Sequence, residues 1–291
     1  MRTGVVILPD VALPEALGRW AEAEARGFAS AWTYDHLSWR SLRDGPWFGA
    51  LPLLAAVAAT TTVIRLGTLV TSPNFRHPGL LAKDVMTIDH LSGGRFELGI
   101  GAGGTGFDAD VLGGPPPSPS ERADRFEEFV EALDVLLRKP RTSFSGRHYT
   151  VHESRTVPGC VQRPRVPFTV AAVGPRALAV AAAHGRSWVT YGPLVDGATP
   201  EAWFAGVTDQ SRALDAACER LGRDPASVGR TVMVGLDVQW PVRSTGSWDE
   251  FCGRVGALGV GDVLVHWPRP DDPALPGVPP GVFDELGDRR G

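Results

Sequence analysis

Apolar positions along the chain follow two rhythms that take turns from one end to the other. Short runs rich in β-branched residues and leucine read as strands buried on both faces. They span Gly4 to Leu8, Ala29 to Thr33, Ile64 to Val70, Phe96 to Ile100, Pro167 to Ala171, Ser187 to Tyr191, Thr231 to Val238 and Asp262 to Val265. Between them lie stretches with helical spacing and helical punctuation. Pro14 to Arg26 stops at Gly27, and Pro52 begins a helix that runs to Thr61. Pro78 opens a helix with Leu81, Val85, Ile88 and Leu91 on one face, closed by Gly93-Gly94. Ser118 to Arg138 carries a capping box, Ser118 with Glu121, and an apolar face of Phe126, Phe129, Val130, Leu133, Leu136 and Leu137. Pro175 to His184 and Pro200 to Leu221 follow, then a helix capped by Ser247 and Glu250 and a short one near Val282 to Leu286. Residues 142–152 interrupt the series as a small hairpin around Ser145-Gly146.

Strand, crossover helix and strand form the unit of a parallel sheet. Eight such strands in strict alternation predict an α/β protein, a closed (β/α)8 barrel forming one domain over residues 1–291. Ligands of such barrels bind beyond the carboxyl ends of the strands, where TLVTS and GAGG fall in the segment from Ile64 to Gly104.

Composition narrows the class. The net charge is −4, and no cluster of lysine and arginine supplies a footprint for nucleic acid. Cys160, Cys218 and Cys252 are odd in number and far apart, which predicts free thiols in a reducing compartment. The first residues, MRTGVVILPD, lack the apolar core of a signal peptide, and no apolar run is long enough to span a bilayer. A cytoplasmic protein that acts on a small molecule, without nucleic acid or membrane partners, is the expectation. Lys83 and Lys139 are the only lysines, and with abundant Ala, Gly and Pro this points to a GC-rich genome.

Several motifs invite chemistry. Gly99, Gly101 and Gly104 spell GxGxxG, but a dinucleotide fingerprint must open a helix, and none is expected for about fifteen residues after it. Glycines there suit close backbone approach to something flat above the barrel mouth. Val173-Gly174-Pro175-Arg176 ends one strand and begins one helix. Its free N–H groups and Arg176 could hold a phosphate, or it is an ordinary turn. Asp35-His36 follows the second strand, where a histidine can shuttle a proton or simply bond its neighbours. His266, at the end of the last strand, is a secondary candidate, while His77 and His90 read as structural. No HExxH, cysteine pair or carboxylate cluster has metal-ligand spacing, so no metal is expected, and no GxSxG marks a serine nucleophile. Among nine tryptophans, Trp32, Trp39, Trp47, Trp240 and Trp267 lie near strand ends and could wall an apolar pocket. Trp39, Arg40, Arg43, Trp240, His266 and Arg269 are candidates to line a substrate pocket. The arginines there would suit a carboxylate or phosphate, and the prolines after Trp267 a stiff lid.

With these residues in hand, the chain resembles the luciferase-like flavin and deazaflavin oxidoreductases. The likeness rests on SAWTYDHL, on IRLGTLVTSPNFRHPGLLAKDVMTIDHLSGGRFELGIGAGG, on VQRPRVPFTVAAVGPRALAVAAAHG and on VGDVLVHWPRP, and covers nearly the whole chain. It implies a dimeric barrel binding coenzyme F420 or FMN at its C-terminal mouth. By that likeness Asp35 and His36 would meet the cofactor, with Thr68, Leu69 and Val70 under its ring and a non-proline cis bond at Leu69–Val70. Ala102, Gly103 and Gly104 would pass beside the ring and side chain, and Ala172, Val173, Gly174, Pro175 and Arg176 would take the phosphate.

Departures from the family shape the activity expected. In the sugar-phosphate dehydrogenases that use F420, a glutamate follows the GxG and serves as an acid; Gly104 stands here, and the next carboxylates are Asp108 and Asp110. The tryptophan after the Asp-His pair is displaced by one, as Trp39. His36 is therefore the one proton donor of family type that remains. The insertion usual in long-chain FMN monooxygenases is missing after the seventh strand, and with the GC-rich composition this favours F420 over FMN. The expected reaction is hydride transfer between reduced F420 and an unsaturated small molecule, with His36 as the catalytic residue, a proton donor or an orienter. FMN-dependent monooxygenation and a catalytically idle flavin-binding relative are the alternatives.

Overall fold

A computed structural model describes residues 1–113, 115–193, 199–272 and 275–287 of the chain. Eight of its strands close into a parallel barrel. They are β1 (Arg2–Val6), β2 (Ser30–Thr33), β3 (Arg65–Thr68), β4 (Phe96–Gly101), β7 (Phe168–Ala171), β8 (Ser187–Thr190), β9 (Gly229–Val234) and β10 (Asp262–His266). The ring closes where β1 pairs with β10, in register from Arg2 opposite Asp262 to Val6 opposite His266. The predicted (β/α)8 barrel is thus the observed one. Its interruption is also where expected: β5 (Arg141–Ser145) and β6 (Thr150–Arg155) form an antiparallel hairpin outside the barrel. Glu128 anchors that hairpin by accepting from the backbone N–H groups of Arg147, His148 and Tyr149 at 2.6–2.8 Å.

The helices are α1 (Leu13–Ala25), α2 (Ala50–Thr60), α3 (Pro78–Leu91), α4 (Phe107–Asp110), α5 (Pro119–Arg138), α6 (Pro175–His184), α7 (Pro200–Arg220), α8 (Thr245–Ala257) and α9 (Pro280–Gly287). Proline in the first turn starts α1, α3, α5, α6 and α7, where its missing N–H costs nothing. The capping box of Ser118 and Glu121 is formed as expected. Two expectations are corrected. The cap of α8 is Ser244, which accepts from the N–H of Ser247, so the helix begins a turn earlier and buries Trp248, Phe251 and Val255. The segment after Gly104, expected to hold no helix, contains α4, a single turn too short to show a period.

Alternation along each strand sorts the core into two parts. Val5, Val263 and Val265 point outward to the helices, where Trp20, Trp188, Trp203, Phe126, Phe129 and Phe251 are fully buried. Val6, Trp32, Tyr34, Leu69, Val189 and Leu264 point inward and form a second cluster that reaches the mouth. At the opposite end, arginines bind the carbonyls that helices leave free at their C-termini. Arg95 donates to the carbonyls of Ala58, Thr61 and Ile64 at 2.9 Å each, tying the end of α2 to the start of β3. Arg223 does the same for Ala182 and Gly185 after α6.

Candidate functional site at the barrel mouth

The mouth is assembled by the loops after β2, β3, β4 and β7. Asp35, next to the end of β2, is buried, and Arg76 grips both its oxygens, at 2.6 and 3.1 Å. Thr71 Oγ1 donates to it as well, at 2.8 Å. A carboxylate taken from water needs such partners, and here they fasten the loop that carries His36. The imidazole Nδ1 of His36 is hydrogen-bonded to Asp108 Oδ2. Asp108 lies on α4, is buried, and also accepts from the N–H of Leu37 at 2.7 Å and of Ser38 at 3.3 Å. A carboxylate only accepts, so the Nδ1 hydrogen is the shared one and Nε2 is left as the atom able to give or take a proton. Around His36 stand three aromatic rings. Trp39 is stacked at 6.3 Å, Tyr34 meets it edge-on at 5.9 Å, and Trp47 lies at 6.5 Å and donates to the His36 carbonyl.

Beyond β3 the Leu69–Val70 peptide bond is cis, as the resemblance implied. Thr68 Oγ1 donates to the Gly99 carbonyl at 2.8 Å, and Leu69 N donates to Thr33 at 2.7 Å. A Cβ on Gly99 would lie 1.8 Å from the Thr68 oxygen, so only glycine admits this approach of β3 to β4. Gly103 adopts φ 74°, and a Cβ there would meet Asn74 Oδ1 at 2.6 Å. Asn74 donates to the Gly104 carbonyl at 3.1 Å, while its buried Oδ1 has no partner among the described residues. An orphaned acceptor beside Gly103 and Gly104 suits a planar group that carries N–H donors. At the end of β7, the carbonyl of Ala172 accepts from Trp188 Nε1, and Val173 is half-exposed. Gly174 and Pro175 begin α6 with no side-chain cap, which leaves its first N–H groups for an anion. The residues present thus fit a flat ring joined to a phosphate.

Other nominated residues are placed differently. The Arg176 guanidinium is taken up by Glu127 and by Asp124 at 2.7 Å, which raises its pKa, so its backbone N–H rather than its charge faces the turn. Arg40 is paired with Asp237 at 2.8 and 3.0 Å and lies over the Trp39 ring. Arg269 is held by Asp10 and, at 2.8 Å, by Asp272. Arg43 lies over the Phe107 ring and 3.7 Å from the exposed Asp44. Trp240 does not line the mouth: it wedges between α7 and α8 against Trp203, Phe204 and Phe251. Trp267 packs on Phe283 outside, and Trp32 lies inside the barrel. His266 is buried, donates from Nδ1 to the Val234 carbonyl and accepts from Tyr34 through Nε2 at 2.8 Å. Burial lowers its pKa to about 4. Of the proline-rich stretch, residues 273–274 lie outside the described residues; Leu275 is buried in the mouth cluster.

Asp108, Arg76 and Asn74 had no role assigned from the sequence. Asp108 carried a signal, being the first of two carboxylates shortly after GxGxxG; Arg76 and Asn74 had none. Among the described residues, no group of three or more His, Cys, Asp or Glu could hold a metal, and no helix is long and apolar enough to cross a membrane.

Similarity searches add three findings. The profile of the luciferase-like monooxygenase family matches residues 1–238. An F420-dependent glucose-6-phosphate dehydrogenase of Beutenbergia cavernae is 37% identical over 174 residues, 57% of this chain and 49% of that protein. An F420-dependent hydroxymycolic acid dehydrogenase of Mycobacterium tuberculosis is 30% identical over 233 residues, 78% of this chain and 60% of that protein. The chain therefore spans about half the length of the first of these relatives. An F420-dependent secondary alcohol dehydrogenase solved with an F420–acetone adduct has the same fold, with a TM-score of 0.80, 18% identity and 99% of each chain covered.

Proposed function

The chain belongs to the luciferase-like monooxygenase family, and from that premise we propose that it is a coenzyme F420-dependent oxidoreductase moving hydride between reduced deazaflavin and an unsaturated small molecule. The observation that carries this reading is the His36–Asp108 pair at the mouth, set among the rings of Tyr34, Trp39 and Trp47. The names of the relatives support F420 over FMN. The deazaflavin would supply the hydride; all else falls to the protein. Thr68, Leu69 and Val70 would back the ring, Gly103 and Gly104 would flank it, and the first turn of α6 would bind phosphate through its N–H groups. His36 would hold a proton on Nε2, aimed by Asp108, and pass it to the substrate atom that becomes negative as hydride arrives. The aromatic rings around it would keep that step out of bulk water. We extend the proposal to a homodimer, which light scattering checks.

A parallel titration of the purified protein with F420 and FMN, read by tryptophan fluorescence, tests the cofactor. Trp39 and Trp47, stacked at 6.1 Å beside His36, should report occupancy. Tighter binding of F420 is expected; preference for FMN would instead favour oxygen chemistry. Normal F420 binding with no turnover lost in His36→Ala would mean that His36 has no catalytic role.

A further inference from the structure

We infer that the substrate is an uncharged carbonyl compound with an apolar tail, not a phosphorylated or carboxylated one; this rests on the hydride-transfer reading above. Three observations meet at this point. First, of the three arginines nominated to bind an anion, Arg40 and Arg269 are already neutralised, and so is Arg76. Arg40 makes two hydrogen bonds to Asp237, Arg269 lies between Asp10 and Asp272, and Arg76 is committed to Asp35. Freeing any of them for a phosphate would strand its carboxylate, in the case of Asp35 one that is buried. Arg43 is the exception, and it lies over the Phe107 ring at the outer rim. Second, the rings beside His36, those of Tyr34, Trp39 and Trp47, belong to or pack on one apolar cluster, which Leu275 joins. Third, the loop that delivers Asp108 exposes large apolar side chains on the same rim. Phe107 is 38% exposed, Val111 53% and Leu112 68%, with Leu37 at 40% next to them in the His36 loop.

An apolar rim leading to one proton donor in an aromatic box selects for a greasy molecule with a single polar atom. In the reducing direction, hydride adds to the carbonyl carbon as the C=O π bond breaks. The oxygen takes the proton from His36 Nε2, giving an alcohol, and the reduced cofactor is oxidised by two electrons. His36, partly exposed, recovers its proton from solvent.

The test uses the full chain with reduced F420, after F420 binding has been established by fluorescence; failure to bind would overturn the parent reading and not this one. Oxidation of reduced F420 is then followed with a series of 2-alkanones from butanone to decan-2-one, and, in the reverse direction, oxidised F420 is offered glucose 6-phosphate. The expected result is kcat/KM rising about two- to fourfold per added methylene, with no reaction of the phosphate. Leu112→Asp, at an exposed position that should not disturb folding, is expected to lower the ratio of kcat/KM for decan-2-one to that for butanone about tenfold or more. A flat response to chain length, no turnover of any alkanone by the F420-bound protein, or turnover of glucose 6-phosphate would overturn the inference.

Discussion

Both carboxylate oxygens of Asp108 are engaged by one turn of chain, Oδ2 by the imidazole Nδ1 of His36 and Oδ1 by the N–H of Leu37 at 2.7 Å. The loop after β4 thereby sets the tautomer and the plane of a ring carried by the loop after β2. Replacing Asp108 by Asn keeps the shape and loses the obligate acceptor, so turnover should fall about 10²-fold with F420 affinity nearly unchanged. Because the pair acts as a unit, the double variant with His36→Ala should be no slower than His36→Ala alone. Steady-state kinetics on the four proteins decides; additive losses would mean that the two residues act separately.

His266 gives the fold a pH dependence. Burial holds its pKa at about 4, below the ordinary value of 6.5. The unfolded chain therefore takes up this proton first as pH falls, so stability is complete above about 6.5 and is lost through the interval down to about 4. The full interval corresponds to about 3 kcal/mol. Urea unfolding at pH 7 and pH 4.5 should show a smaller drop in His266→Gln than in the unaltered protein, and an equal drop would remove His266 from the account.

Asp35, which is buried, is paired with the partly exposed Arg76 at the His36 loop. Arg76→Ala leaves the carboxylate without its cation and should cost about 3–5 kcal/mol in urea unfolding. Adding Asp35→Asn to that variant should return part of the loss, since the stranded charge is gone.

Arg176 provides the contrast. Its side chain joins α6 to α5 through Glu127 and Asp124, both partly exposed. Arg176→Ala should change F420 affinity less than about threefold and stability by about 1 kcal/mol at most. A loss of affinity of about a hundredfold would show that the guanidinium leaves its carboxylates to bind phosphate.

The parts of this molecule readable from the sequence are those with local signatures. Strands buried on both faces read as plain apolar runs, and proline at a first helical turn marks the starts of α1, α3, α5, α6 and α7 among others. Ser244 and Ser247 are each plausible caps by type, and it is the Ser244 side chain that accepts from the N–H of Ser247. Pairings across the mouth had no local signature at all. Asp237 reaches Arg40 from the loop after β9, 197 positions away, and Asp10 reaches Arg269 from 259 positions away. Barrel closure brings them together, so free cationic side chains inferred from the string of letters became neutral pairs in space. Asp108 lies between these cases, since its distance from GxGxxG was visible but not the direction in which α4 would turn it.

Arg95 sits at the far end from all this, holding the carbonyls of Ala58, Thr61 and Ile64 together. A designer wishing to give this barrel another substrate could treat that end as a chassis. Exchanging Phe107, Val111 and Leu112 while Asp108 is kept would, on the reading proposed above, alter what is admitted, while the guanidinium underneath keeps neighbouring helix and strand seated during the exchange.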